Sequence, residues 1–186
     1  MIFYHGSAVG GLIELQPFVS EHKEPYIYFA TDPVVALLYS VRAVEKPFNW
    51  YPYGFDKDGT VVYSEYYPDA FASVYRGQTG YLYECEDVPN AENPTAINCA
   101  YVCRTPVAVD RVTRFDDVYE KLSEYREQGL FRVKPFDRIP EKEMQMVIAD
   151  LEETMEKYEL ASKPENSMSR FIRAHFPSVW NRGQNE

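Results

Sequence analysis

What this sequence has least of is positive charge and the side chains that hold metals. Lys and Arg number 19 against 29 Asp and Glu, a formal net charge of -10. Affinity for nucleic acid rests largely on cations that neutralise phosphates, so the balance argues against a nucleic-acid partner and for a small ligand or a protein. Histidine and cysteine occur three times each, with no HxxxH, HExxH or paired CxxC spacing, so no metal site is expected. Cys85, Cys99 and Cys103 are odd in number, and no basic segment with a long apolar run precedes them. They are expected to be reduced thiols of a cytoplasmic protein. No apolar stretch approaches the ~20 residues needed to span a bilayer, and no GxSxG elbow offers a hydrolase serine.

The rest of the composition describes an ordinary core. At 186 residues and 45% apolar the chain is long enough for one domain and too short for two independent ones. Tyrosine is the outlier, with 16 copies against 11 phenylalanines, several of them at strand-like positions such as Tyr26, Tyr28, Tyr63, Tyr81 and Tyr83. Such rings suit a half-buried pleated surface and also offer flat faces for stacking.

The order of elements predicts an α+β fold. "IFY" reads as a buried strand that ends at His5-Gly6-Ser7, and "YIYFA" as a second strand. A helix follows over about 33–44: Thr31 or Asp32 can cap it, Pro33 suits its first position, and Val34, Leu37, Leu38 and Val41 form an apolar face. Residues 45–59 read as a long aromatic loop, with Phe48, Trp50, Tyr51, Tyr53 and Phe55 as a candidate acceptor wall or a plain flap over the core. Strands are expected in "TVVYSEYY", "GYLYECE" and "CAYVCRTPVAVDRV", with a short helix from Pro68 to Gly77. Residues 1–115 are therefore a strand-rich core and 116–186 a helical extension packed on it as one structural domain. In that extension Met144, Val147, Ile148, Leu151, Met155 and Tyr158 make an apolar stripe that docks the helix on the body or joins two copies as a homodimer. A last helix is expected from Ser167 to a stop at Pro177.

"YHGS" and "IYFATDPVVALLY", with Tyr39 eleven positions after Tyr28, resemble two motifs of the ADP-ribosyltransferase superfamily in its diphtheria-toxin-like and poly(ADP-ribose) polymerase-like branch. A looser likeness, through "HGS", "YIYFA", "LYE", "DVPN", "NPT" and "TPVAV", is to the rifampin ADP-ribosyltransferases. The resemblance covers roughly residues 3–110 and implies a split antiparallel sheet, NAD as co-substrate and a small-molecule or protein acceptor. It implies that His5 bonds the adenosine ribose, that Gly6 meets the nicotinamide amide beside Ser7, and that Tyr28 and Tyr39 sandwich the nicotinamide. On the plain reading His5 is a structural hydrogen-bond partner, Tyr28 a sheet residue and Tyr39 helix core.

The third element departs from the pattern. Where the polymerase-like branch opens a late strand with a catalytic glutamate, this chain has Ala100 before Tyr101, and Ala36 replaces a helix serine. In the rifampin-modifying enzymes an aspartate directly precedes a Pro-Asn pair; here Val88 holds that place, so Asp87 or Glu86 could serve only with a shift of one or two residues. Two functions are therefore expected: ADP-ribosyl transfer from NAD with Asp87 or Glu86 as the acid, or a catalytically reduced domain that binds a nucleotide or protein without chemistry. The related RNA 2'-phosphotransferases need several arginines for phosphate and sit poorly with the acidic charge.

Overall fold

A computed structural model describes residues 1–19, 24–42 and 52–184. In chain order its strands and helices are β1 (Phe3–Ser7), β2 (Glu14–Leu15), β3 (Phe18–Val19), β4 (Pro25–Ala30), α1 (Pro33–Leu38), β5 (Tyr53–Phe55), β6 (Val61–Ser64), α2 (Ala70–Tyr75) and β7 (Gly80–Cys85). There follow β8 (Ala100–Cys103), β9 (Val107–Ala108), β10 (Arg111–Phe115), α3 (Val118–Glu127), β11 (Phe131–Lys134), α4 (Glu141–Lys157), α5 (Ser167–His175) and α6 (Pro177–Gly183). The fold is α+β with antiparallel sheets and several helices. It divides into two compact units, one of residues 1–42 and 75–131, the other of 43–74 and 132–186. Residues 52–74, grouped with the strand-rich part by sequence pattern, thus go with the C-terminal helices, and α3 goes with the strands.

The first unit is built on a six-stranded sheet in the order β10-β7-β1-β4-β3, with β8 also on β4. Alternation along the strands gives it two faces. On one, Phe3, Ile27, Phe29, Tyr83, Cys85 and Cys103 form an apolar cluster with Leu15, Val88 and Val107, and Leu15 on β2 pairs with Val107 on β9 in a small separate ribbon. On the other lies α1, whose Val34, Val35, Leu37 and Leu38 are all buried. Each such side chain taken from water contributes roughly 1.5–3 kcal/mol.

Helix α1 starts where the sequence predicts and stops early. The Asp32 carboxylate accepts from the Val34 N–H at 2.8 Å, and Pro33 opens the first turn. After Leu38 the hydrogen bonds tighten: the Tyr39 N–H reaches the Ala36 carbonyl, and both the N–H and the hydroxyl of Ser40 take the Leu37 carbonyl. A serine hydroxyl that competes for a helix carbonyl favours ending the helix there. Tyr39 therefore caps the helix instead of lying inside it.

In the second unit β11, β6 and β5 form a three-stranded sheet. Arg132 on β11 binds Asp56 at 2.6 Å and Asp58 at 2.7 Å, the acids of the turn between β5 and β6. Helix α4 carries the stripe read from sequence: Val147, Leu151 and Met155 are buried, while Tyr158 at its end is exposed. Glu143 ties this helix to the sheet, taking Lys134 Nζ at 2.6 Å and the Tyr66 hydroxyl at 3.2 Å. Pro177, expected as a stop, ends α5 and occupies the first turn of α6, where its missing N–H costs nothing. Of the proposed acceptor wall, Tyr53 and Phe55 lie on β5, and Phe48, Trp50 and Tyr51 fall outside the described residues.

Candidate functional site

The sheet of the first unit opens at His5. Strand β1 pairs with β7 along its whole length, from Phe3 opposite Cys85 to Ser7 opposite Tyr81. With β4 its register has one pair, Tyr4 opposite Ala30, while the start of β4 pairs instead with β3, Phe18 opposite Tyr26. At the point of parting, His5 Nδ1 lies 2.8 Å from the carbonyl oxygen of Tyr28. A carbonyl can only accept, so Nδ1 carries the proton and donates it. Burial also pushes the imidazole below its ordinary value of 6.5, which the bond to Tyr28 only partly offsets. The ring is thus neutral near pH 7, and Nε2, with no partner among the described residues, is left as a hydrogen-bond acceptor.

A cleft of about 270 Å³ lies beside this ring. Its polar lining is His5, Ser7, Glu14 and Gln16, and Leu12, Phe18 and Ile27 supply apolar wall. The loop over residues 8–12 is held in place by the fully buried Tyr83, whose hydroxyl donates to the Val9 carbonyl at 2.7 Å and accepts the Leu12 N–H at 3.3 Å. Ser7 Oγ accepts the Val9 N–H at 3.1 Å and keeps its own proton to donate. Gln16 Nε2 donates to Glu14 Oε2.

The two tyrosines do not line that cleft. Because Tyr4 faces Ala30, the next side chains on the His5 face of β4 are Phe29 and Ile27, and the His5 ring packs on Phe29 with centroids 6.2 Å apart. Tyr28 projects to the opposite face, the one α1 covers. A single cleft walled by His5, Tyr28 and Tyr39, as the motif order led us to expect, is therefore not formed by these side chains, since a one-residue step along a strand reverses the face. Phe18 is the link between the two sides: it lines the cleft, and its ring lies 5.8 Å from that of Tyr28. Tyr39 is exposed at the helix end.

Gly6 has a structural reason of its own. A Cβ there would stand 1.8 Å from the Ala36 carbonyl oxygen, so only glycine lets α1 cross β1 this closely. The carbonyl of Ala36, the residue in the place of the expected serine, thus abuts the glycine of the motif.

The expected acids lie elsewhere. Glu86 and Asp87 are exposed and follow the end of β7, at the end of β1 away from Ser7, and the Glu86 N–H is taken by Asp110 at 2.7 Å. Neither lines the cleft. Ala100 opens β8 opposite Ala30, so that position of the sheet bears no carboxylate. Among the described residues no group of three His, Cys, Asp or Glu could hold a metal ion, and no helix is long and apolar enough to cross a membrane.

No family model, curated protein or solved structure matches this chain.

The residues that sequence reasoning missed are Glu14, Gln16 and Phe18. Their only local signal is alternation in "IELQPF", where Leu15 is buried between two polar neighbours.

Proposed function

We propose that this protein binds NAD at the opening between β1 and β4 and transfers its ADP-ribose to a small-molecule or protein acceptor, on an ADP-ribosyltransferase-like scaffold. The observation that supports it is the parting of the His-Gly-Ser strand from the Tyr-Phe-Ala strand at His5, with Nε2 left as an acceptor beside a cleft. A ribose offers hydroxyl donors, which a neutral imidazole acceptor suits. The Ser7 hydroxyl can add a second bond, and the Phe18 and Leu12 side chains keep water from one side of the ligand. Placing the glycosidic bond in such a partly dry site strengthens any charge aimed at it.

A second reading, binding without chemistry, is favoured by Ala100 at the head of β8 and by the distance of Glu86 and Asp87 from the cleft. Calorimetric titration with NAD and chromatographic detection of nicotinamide decide between them. His5→Ala should weaken NAD several-fold, the worth of about 1 kcal/mol for one hydrogen bond. Wild-type protein that fails to bind NAD at millimolar concentration would refute both readings.

A further inference from the structure

We infer that Glu14 is the catalytic carboxylate of this cleft; the inference rests on the NAD reading above. It is the one carboxylate among the described residues that line the cleft with His5 and Ser7. Its carrier is well anchored. Strand β2 is two residues long, and Leu15, 2% exposed, is packed in the core cluster and paired with Val107, while Glu14 pairs with Ala108 and stays exposed. The carboxylate is also oriented. Gln16, on the same side of the chain two positions on, donates its amide to Oε2 and leaves Oε1 without a partner among the described residues. Leu12, Phe18 and Ile27 line the same cleft and give it an apolar wall beside these polar groups.

The bond between the ribose anomeric carbon and the pyridinium nitrogen of NAD breaks heterolytically, and its electron pair goes to the nitrogen, so nicotinamide leaves neutral. Positive charge develops on the anomeric carbon and ring oxygen, facing Glu14 Oε1. An acceptor oxygen, that of water in a hydrolytic assay, forms the new carbon–oxygen bond, and its proton passes to Glu14 and on to solvent. One proton is released for each NAD cleaved.

The test uses the full chain and NAD alone, with nicotinamide release and calorimetric affinity both measured on wild type, Glu14→Gln, Glu14→Asp and the double variant E86Q/D87N. Glu14→Gln should melt like wild type and bind NAD within about threefold, yet release nicotinamide at least ~100-fold more slowly, because the charge acts on the transition state. Glu14→Asp, which keeps the charge on a shorter arm, should recover part of the rate. Turnover of Glu14→Gln at the wild-type rate overturns the inference, as does its loss in E86Q/D87N alone, or wild-type protein that binds NAD and releases no nicotinamide over a day. Failure of wild type to bind NAD overturns the underlying reading instead.

Discussion

The imidazole of His5 donates to the backbone carbonyl of Tyr28, 23 positions away, at the line where two strands of one sheet part. The side chain thereby takes a carbonyl that the ladder between β1 and β4 leaves open, and a buried polar group is satisfied. The same bond fixes the tautomer of the ring, with its proton on Nδ1.

This histidine should make the fold sensitive to mild acid. Its folded-state value lies below the unfolded value near 6.5, so between the two the unfolded chain binds the extra proton. Stability is whole above about pH 6.5 and is lost as pH falls from there toward the folded value. His175, held low by burial as well, acts in the same direction. His5→Asn keeps a donor near Tyr28 and cannot titrate, so its melting temperature should fall less than that of wild type between pH 7 and 5. Parallel melting curves for the two proteins across that range would contradict the assignment.

Gly6→Ala should be severely destabilising, by about 3 kcal/mol or enough to prevent soluble expression, because its Cβ meets helix backbone and not a flexible side chain. Gly54→Ala on β5, where no atom lies within 4 Å of the added Cβ, should change urea stability by less than about 0.5 kcal/mol. Equal effects at the two sites would mean that α1 does not cross β1 as closely as described.

Tyr83→Phe keeps the buried ring and removes the hydroxyl that holds the loop over residues 8–12. The expected cost is about 1–2 kcal/mol, since the Val9 carbonyl and Leu12 N–H both lose a partner. Amide exchange at Leu12 should quicken more than at Cys85 on the same strand as Tyr83. Unchanged Leu12 protection would show that the loop is held by something else.

Helix α4 offers a contrast within one element. Leu151 is fully buried and Met146 is 62% exposed. Leu151→Ala should cost about 2–5 kcal/mol in urea unfolding and Met146→Ala no more than about 0.5 kcal/mol. A reversed order would place the packed face of the helix on its other side.

Where local chemistry alone sets a boundary, the sequence was readable: the Asp32 cap and the spacing of Val147, Leu151 and Met155 lie where capping and periodicity put them. Where a partner sets it, reading failed. Helix α1 ends at Leu38 because of what Ser40 bonds, and the four residues of β11 are a strand only because β6 is beside them. Proline is equally at home after a helix and in its first turn, so Pro177 gave no sign of α6. The site divides the same way. His5 stood out by its neighbours in sequence, but the face that each side chain takes follows from the single pair Tyr4 and Ala30, a register no local pattern encodes. Glu14 reaches the cleft through a ribbon with β9, more than ninety residues later.

Neither compact unit is one continuous stretch of chain: each is assembled from two segments that alternate along the polypeptide. During synthesis β1 is made well before the strand that pairs with its full length, β7, which begins at Gly80, and before β10, which begins at Arg111. The ordering of so long an intervening segment must precede the reward of pairing, which slows folding. Until then an aromatic strand lies unpaired along its edge, so the growing polypeptide should depend on holding factors. For the same reason neither unit can be excised as a simple fragment, and a stand-alone version of the first would need residues 1–42 joined directly to 75–131 by a designed linker.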